Sequence, residues 1–311
     1  MTQVIPFGSR STADKVLAGI DLSGKKIVVT GCNSGIGFET MGALSANGAH
    51  VIGLARSLRD AEIACAKVGP SSTPVAYDLS DLDSIAAAAD TIRALKAPLD
   101  SIVANAGIAN LAALRTRYGV ELQFLVNHIG HFALVNELLG LVRNGTGRIV
   151  IVSSSAAVNQ APAEGIMFDN LDGHRFYKPF TFYGQSKLAN ALFAKELSRR
   201  LGARGIAANS LHPGATRGTR LNRDARLPLK LALSAARPFM RSPSRAAATQ
   251  ALLASSPSVA GITGQYWANC QIAAGNPLLE DAELAKRLWD VSEEIVNRHT
   301  TARPKAMQEA A

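Results

Sequence analysis

Short apolar runs rich in β-branched residues alternate with longer segments of helix-forming residues along most of the chain. Runs of the first kind are typical of buried strands, and segments of the second kind, without internal proline or glycine, are typical of helices. The pattern predicts strands over residues 26–30, 50–55, 74–77, 99–104, 148–152 and 206–211. It predicts helices over residues 12–17, 38–47, 81–95, 118–142 and 183–201.

This alternation predicts an α/β fold in which right-handed crossovers join parallel strands and helices cover both faces of the sheet. The 311 residues suffice for one large domain, with a core over about 20–300 and irregular insertions over about 156–181 and 213–242. Sheets of this kind bind ligands beyond the carboxyl ends of their strands. The polar and glycine-rich clusters of the sequence follow the predicted strands, so we expect a ligand site there.

The predicted helix that begins near Tyr183 carries a candidate acid/base pair. Tyr183 and Lys187 are four residues apart, so they lie on one face of a helix, one turn apart. An ammonium beside a phenol favours the phenolate, so we expect the pKa of Tyr183 to fall below its ordinary value of about 10. A tyrosine with such a pKa can donate or accept a proton in a reaction.

The first predicted strand runs into a glycine-rich turn that opens the next helix. Gly31, Gly35 and Gly37 permit a tight turn and a close approach of the backbone to a pyrophosphate. The helix N-terminus adds free N–H groups and the positive end of a dipole. A strand before the turn and a helix after it indicate a dinucleotide site, although the spacing differs from the common G-x-G-x-x-G pattern.

The end of the second strand bears on the choice of dinucleotide. An NAD site places Asp or Glu about 20 residues beyond the glycine turn, but this chain has Arg56 there. Arginine attracts a 2′-phosphate, so the sequence favours NADP(H) over NAD(H), with a solvated arginine as the alternative. Asp78 and Leu79 are predicted to hold the adenine edge; alternatively Asp78, Ser80 or Asp81 caps the following helix.

Composition narrows the classes of partner. The net charge of +9 is compatible with nucleic acid, an anionic membrane or an anionic ligand. Aromatic residues make up only 5% of the chain and there is no long basic tail, so no nucleic-acid partner is expected. A weak contact with a membrane surface stays open.

The three cysteines are far apart and form no C-x-x-C or Cys/His cluster, so neither a disulfide framework nor a metal site is predicted. No apolar run approaches the ~20 residues of a membrane span, and the N-terminus does not resemble a secretory signal. A reducing, cytoplasmic compartment is the expectation.

Taken together, these motifs resemble the short-chain dehydrogenase/reductase family over about residues 20–300. The residues at 126–132 and 183–190 narrow the resemblance to the branch that holds retinol dehydrogenases, WW-domain oxidoreductases and protochlorophyllide reductases. The resemblance implies a doubly wound sheet of seven strands and NAD(P)-dependent hydride transfer. The matching segments are Thr30-Gly31-x-x-x-Gly35-Ile36-Gly37, Asn105-Ala106-Gly107, Val126-Asn127-His128-Ile129-Gly130-His131-Phe132, Tyr183-Gly184-Gln185-Ser186-Lys187-Leu188-Ala189-Asn190 and Pro213-Gly214.

The resemblance implies a catalytic role for four residues. Tyr183 is the general acid in reduction and the general base in oxidation, and Lys187 lowers its pKa and binds the nicotinamide ribose. Ser154, favoured over its neighbours in the serine run 153–155, holds the substrate oxygen. Asn127 supports the lysine through water; alternatively it bridges a helix distortion.

The resemblance also implies a set of cofactor contacts that includes the catalytic Tyr183 and Lys187. One of the threonines 216 and 219 would contact the carboxamide or phosphate, although residues 215–219 match the family's turn poorly. The remaining implied contacts are Gly31, Asn33, Ser34, Gly35, Ile36, Gly37, Arg56, Asp78, Leu79, Asn105, Ala106, Gly107, Pro213, Gly214 and Thr216.

The region 213–242 corresponds to the family's variable substrate lid, and its apolar run 227–240 predicts a small hydrophobic alcohol or carbonyl substrate; an ordinary cover helix is the alternative. The basic residues around it could dock on an anionic membrane or form a soluble basic surface. His128 and His131 are read as packing residues rather than metal ligands, and Trp267 and Trp289 likewise pack.

The predicted activity is that of an NADP(H)-dependent alcohol dehydrogenase or carbonyl reductase. The alternatives are a non-catalytic NADP(H)-binding sensor, a reductase of C=C bonds, and a peripheral membrane or scaffold protein. The oligomeric state, monomer or homodimer, is left open.

Overall fold

The computed structural model describes residues 5–299 and is built around one eight-stranded sheet. Its spatial order is β10-β9-β8-β7-β4-β1-β2-β3. Seven strands are parallel, as the family resemblance implies, and the short edge strand β10 adds an antiparallel eighth. The strands are β1 (Lys26–Thr30), β2 (His50–Ala55), β3 (Ser72–Ala76), β4 (Ser101–Ala104), β7 (Arg148–Val152), β8 (Ala207–His212), β9 (Tyr266–Ala268) and β10 (Gln271–Ile272), with β5 (Thr116–Arg117) and β6 (Val120–Glu121) in a separate hairpin.

Helices cover both faces of the sheet because alternate strand residues are apolar on both sides. Val28 of β1 belongs to one core, whereas Ile27 and Val29 belong to the other. The first core is completed by α4, α6, α8 and α11, and the second by α1, α2, α3 and α10. The helices are α1 (Ala13–Leu17), α2 (Gly35–Ala46), α3 (Leu58–Val68), α4 (Leu82–Arg93), α5 (Leu122–Phe124), α6 (Gly130–Leu138), α7 (Ala156–Asn159), α8 (Pro179–Arg200), α9 (Leu227–Ala236), α10 (Pro243–Ser255) and α11 (Ala282–His299).

The predicted helix over 118–142 begins later than the sequence indicates. Tyr118 and Gly119 both have positive φ, 58° and 69°, and they form the turn of the β5–β6 hairpin. A helix cannot include such a turn. It starts at Leu122 instead, runs through a π-helical turn at Leu125–Ile129 and continues as α6.

The segment Leu122–Leu141 meets the length and composition of a membrane span, with a mean hydropathy of 1.2. The sequence-based expectation that no run approaches a span therefore needs correction. Within its 18-residue apolar window, 67% is buried inside the fold, so the segment is apolar because it packs against the sheet.

Candidate active site

A cleft of about 670 Å³ opens along the carboxyl ends of the parallel strands. Its walls include the segments that follow β1, β2, β3, β4, β7 and β8, together with residues of α8 and the lid region 213–242. This is where an open parallel sheet is expected to bind a ligand. The residues predicted from the sequence that line the cleft are Gly31, Asn33, Ser34, Gly35, Ile36, Arg56, Asp78, Leu79, Asn105, Ala106, Gly107, Ser154, Tyr183, Lys187, Pro213, Gly214 and Thr216.

The glycine-rich turn has the geometry that its glycines permit. Gly31 and Gly35 have φ values of 71° and 56°, which side chains with a Cβ rarely adopt. Gly37 is buried behind the turn rather than in the cleft wall, so its predicted direct contact with the cofactor is not supported. A Cβ at Gly37 would stand 2.3 Å from the Gly31 oxygen and 2.5 Å from Asn105 Nδ2, so this glycine allows α2 to pack on the turn.

Hydrogen bonds fix the turn to the neighbouring strand. Asn105 Nδ2 donates to the Thr30 carbonyl at 2.8 Å, and the amides of Asn105 and Ala106 donate to Thr30 Oγ1 at 2.8 and 2.9 Å. Gln250 Nε2 of α10 in turn donates to Asn105 Oδ1 at 3.0 Å. Asn105 therefore positions the turn.

Arg56 and Asp78 lie in the wall of the half of the cleft next to the glycine turn. Arg56 follows β2, its side chain is exposed, and it forms no ion pair within residues 5–299. Asp78 Oδ1 accepts hydrogen bonds from the amide and hydroxyl of Ser80, at 2.9 and 2.8 Å. The cap of α4 is Asp81, which accepts from two amides, so Asp78 is not needed for capping.

Tyr183, Ser154 and Lys187 meet at the opposite end of the cleft. The Ser154 and Tyr183 side chains are within hydrogen-bonding reach. Lys187 Nζ lies 5.8 Å from the centre of the Tyr183 ring and donates to the Val152 carbonyl at 3.1 Å. One helix, α8, thus presents the phenol and the ammonium side by side, as the four-residue spacing predicts.

The pKa of Tyr183 does not fall as the sequence suggests. Burial raises it to about 12, and the hydrogen bond with Ser154 only partly opposes that rise. Burial also lowers the pKa of Lys187 to about 8. Removal from water disfavours the charged form of both groups, and this effect outweighs their proximity.

The serine run resolves into three different environments. Ser153 is buried, and its hydroxyl donates to the Lys187 carbonyl at 2.6 Å. Ser155 is exposed and begins α7. Ser154 alone of the three is in reach of Tyr183, and its carbonyl accepts a hydrogen bond from the Tyr266 hydroxyl at 3.0 Å. The sequence offers no signal for Tyr266, because it lies 112 residues from Ser154.

Asn127 lies in the π-helical turn and is fully buried behind the cleft wall. Its side chain donates to the Ile108 carbonyl and accepts from the Ile108 amide, both at 2.9 Å, and it also donates to Ser186 Oγ at 2.9 Å. Its Oδ1 and Lys187 Nζ both border Gly107, where a Cβ would be 2.9 and 3.5 Å from them. The side chain thus bonds to residues outside its own helix, and its support of Lys187 through water stays a prediction.

His128 and His131 are buried in the core. His131 Nε2 pairs with Thr30 Oγ1 at 3.0 Å, and His128 Nε2 pairs with Ser292 Oγ at 2.9 Å. Burial lowers the pKa of His128 to about 3 and that of His131 to about 4. The prediction that they pack rather than bind a metal agrees with these contacts.

These histidines should make the protein sensitive to acid. A histidine whose folded pKa lies below its unfolded value of about 6.5 stabilises the fold above pH 6.5, and this stabilisation is lost as pH falls toward the folded pKa. We expect His128→Phe to reduce the slope of unfolding free energy against pH between 6.5 and 4 by about 1.4 kcal/mol per pH unit. Ser292 remains satisfied in this variant because its hydroxyl also reaches the Leu288 carbonyl.

Urea unfolding at several pH values measures that slope. His174→Phe, at an exposed position, is the matched control and should leave it unchanged. Equal slopes for wild type and His128→Phe would contradict the attribution of acid sensitivity to the lowered pKa of His128.

The lid region closes the remaining side of the cleft. The amides of Ala109 and Ala112 donate to the carbonyls of Leu221 and Asp224, at 3.1 and 3.2 Å. Asn110 Nδ2 donates to Asn222 Oδ1 at 2.8 Å. Thr219 lies against the glycine turn, since a Cβ at Gly35 would be 3.3 Å from its methyl group. Seven apolar residues line the cleft, of which the last three belong to the lid region. They are Ile108, Leu111, Leu122, Val126, Leu221, Leu233 and Met240.

Comparison with known proteins gives consistent matches. A family model described as short chain dehydrogenase matches residues 25–166. The WW domain-containing oxidoreductase of Homo sapiens is 35% identical over 301 residues, which cover 93% of this chain and 72% of that protein. Retinol dehydrogenase 14 of Homo sapiens is 36% identical over 297 residues, which cover 88% of this chain and 87% of that protein.

Solved structures agree in fold. An uncharacterised protein from Mycobacterium Paratuberculosis superposes with a TM-score of 0.74 at 30% identity, over 92% of this chain and 97% of the other. The RhlG/NADP active-site complex of Pseudomonas aeruginosa superposes with a TM-score of 0.63 at 25% identity, over 79% of this chain and 94% of the other.

Proposed function

Because this chain belongs to the short-chain dehydrogenase/reductase family, whose members are oxidoreductases that bind NAD(P)(H), we propose that it interconverts a hydrophobic alcohol and its ketone or aldehyde with NADP(H). The observation that carries this proposal is the meeting of Ser154, Tyr183 and Lys187 at one end of the cleft. A hydroxyl, a phenol and an ammonium in one place can bind a carbonyl oxygen and exchange a proton with it.

The other end of the cleft fits the cofactor. Gly31 and Gly35 line the cleft without side chains of their own, and the N-terminus of α2, at Gly35 and Ile36, lines the same space. Backbone amides and a helix dipole suit a pyrophosphate, and the exposed Arg56 suits a 2′-phosphate. When bound, the nicotinamide would supply or accept the hydride.

The chain's own residues would handle the oxygen and its proton. Ser154 donates a hydrogen bond to the oxygen of the substrate, which stabilises negative charge there. Tyr183 donates its proton to that oxygen in reduction and takes one from it in oxidation. Lys187 keeps a positive charge beside the phenol at neutral pH, since its pKa is about 8. Asn127 holds the backbone of Ile108 at the edge of the site.

A hydrophobic substrate is supported by apolar residues in the cleft wall. Leu111, Leu221, Leu233 and Met240 line the cleft, and three of them belong to the lid region. Burial of apolar surface would supply the binding energy while the hydroxyl groups orient the oxygen. Similarity to retinol dehydrogenase 14 adds retinoids to the compounds worth testing.

Consumption of NADPH in the presence of ketones, aldehydes, retinoids, steroids and quinones, with NADH in parallel, tests the proposal. We expect turnover of at least one hydrophobic carbonyl compound. Binding of NADPH without turnover of any of these classes would favour the cofactor-binding sensor instead.

Cofactor preference depends on one arginine. We expect Arg56→Asp to lower kcat/KM for NADPH by about 10- to 100-fold, because a charge-assisted contact with the 2′-phosphate is replaced by repulsion. The value for NADH should rise or stay unchanged. Steady-state kinetics with both cofactors measure this change.

Lys67→Asp is the control for Arg56→Asp. It makes the same change in charge at an exposed position of α3, away from the cleft wall. A similar loss in both variants, or faster wild-type turnover with NADH, would overturn the argument from Arg56.

A further inference from the structure

We propose that the outer surface of the lid docks on an anionic lipid bilayer. The proposal concerns a face of the protein that the reaction does not use, and it does not depend on the substrate. Its basis is helix α9 and the turn that follows it, Arg237–Phe239, which together carry the three most exposed large apolar side chains among residues 5–299.

Helix α9 is apolar on two opposite faces. Leu229, Leu233 and Ala236 are partly buried and recur at helical spacing on one side, where Leu233 lines the cleft. Leu227 and Leu231, one turn apart, lie on the other side and are 67% and 62% exposed. No residue of α9 is fully buried. A helix that is apolar all round is normally covered on all sides, so the outer face is expected to have an occupant.

The turn after the helix carries a third exposed apolar side chain. Phe239 is 93% exposed, so almost the whole ring stands in water. These three exposed apolar side chains of one short segment, Leu227, Leu231 and Phe239, are here called the patch, and exposed apolar groups of this kind mark an interaction site. Burial of such side chains in a bilayer is favourable, so three of them can anchor a peripheral protein.

Charge identifies the occupant as anionic. Between residues 213 and 250 the only acidic residue is Asp224, which pairs with Arg223 at 3.3 Å. Four exposed basic residues lie close to the patch along the chain and outside the cleft wall, and long basic side chains can lie over apolar surface while their charges reach lipid head groups. These four are Arg217, Arg226, Lys230 and Arg237.

A second copy of the chain suits this face less well. A two-fold dimer through the patch would place the same positive charges opposite one another, and such contacts are unfavourable. An anionic bilayer instead buries the apolar side chains and offers negative head groups to the basic side chains near them. The apolar inner face of α9 would then stand between the lipid and the cleft.

Vesicle co-sedimentation of the full chain tests the proposal. Vesicles of phosphatidylcholine alone are compared with vesicles in which about a third of the lipid is phosphatidylglycerol, at low and high salt. We expect binding to the anionic vesicles at low salt, with weaker binding at high salt. Tryptophan emission of Phe239→Trp should shift to the blue with those vesicles and stay unchanged with neutral ones.

Substitutions on the outer face should weaken binding by predictable amounts. We expect Phe239→Gln to lower the partition coefficient about tenfold or more, and Lys230→Gln to lower it about fivefold. The matched controls are Ile63→Gln and Lys67→Gln, an exposed apolar residue and an exposed lysine four apart on α3, which should bind as the wild type does. Thermal unfolding midpoints confirm that each variant is folded.

Three results would overturn the proposal. One is failure of the wild type to bind anionic vesicles, and another is equal binding by wild type and Phe239→Gln. The third is a lipid-free dimer that Phe239→Gln dissociates in sedimentation velocity, which would identify a second copy as the occupant.

Discussion

Tyr183→Phe should lower kcat for carbonyl reduction by about 10²- to 10⁴-fold, the contribution expected of a positioned general acid. The substitution removes one hydroxyl and keeps the buried ring. Affinity for NADPH, measured by fluorescence titration, should change little. Stability should change little as well, because the buried ring keeps its packing and only the hydroxyl is lost.

The pH profile separates a proton-transfer role from a structural one. Burial raises the pKa of Tyr183 to about 12. At pH values below that pKa, the phenolate fraction rises about tenfold with each unit of increasing pH. Alcohol oxidation by the wild type should therefore rise with pH, and Tyr183→Phe should lose that dependence. Tyr118→Phe, a partly buried tyrosine outside the cleft wall, is the control. Wild-type turnover by Tyr183→Phe would rule out the proposed chemistry.

Gly37→Ala should abolish tight binding of NADPH and cost about 1–3 kcal/mol of stability, the usual penalty for overpacking. The new methyl would overlap the Gly31 oxygen at 2.3 Å and Asn105 Nδ2 at 2.5 Å. Neither group can retreat easily, because Asn105 is held by Thr30 and Gln250. Relief of the overlap requires α2 to move away from the turn that faces the cleft.

Gly42→Ala on the same helix is the contrasting variant. A Cβ at Gly42 would meet only a methyl of Val68 at 3.7 Å, an ordinary contact. Alanine also favours helix over glycine, so this variant should be as stable as the wild type or up to about 1 kcal/mol more stable. Isothermal titration and urea unfolding compare the two variants. Normal NADPH binding by Gly37→Ala would refute the packing argument.

The buried strands could be predicted from the sequence because their physical basis is local. The bounds of β1, β2 and β7 match the predicted ranges 26–30, 50–55 and 148–152. Each is a short apolar run that ends abruptly at polar or glycine residues. The site residues that follow these strands were predictable for the same reason, since sheet topology places strand ends together.

Features that depend on distant partners were not predictable. The predicted strand over 74–77 is instead Ser72–Ala76, because pairing with β2 sets its register. Tyr266 reaches Ser154 only through the order of strands in the sheet. Contact between Asn110 and Asn222 depends on how two irregular segments fold back on each other.

The pKa of Tyr183 shows a second limit of prediction from the sequence. Spacing correctly places Lys187 one turn away, but spacing carries no information about depth. The whole middle of α8 is buried, including both residues. Loss of solvation then determines the direction of both pKa shifts.

One stretch of the lid region, residues 219–224, touches the glycine turn at one end and the segment 109–112 at the other. Cofactor and substrate would consequently both lie behind this one stretch. Opening it breaks the backbone pairs at Leu221 and Asp224 and the Asn110–Asn222 contact. We therefore expect the release of cofactor and the release of product to be kinetically linked, with movement of residues 219–224 limiting the rate when proton transfer is fast.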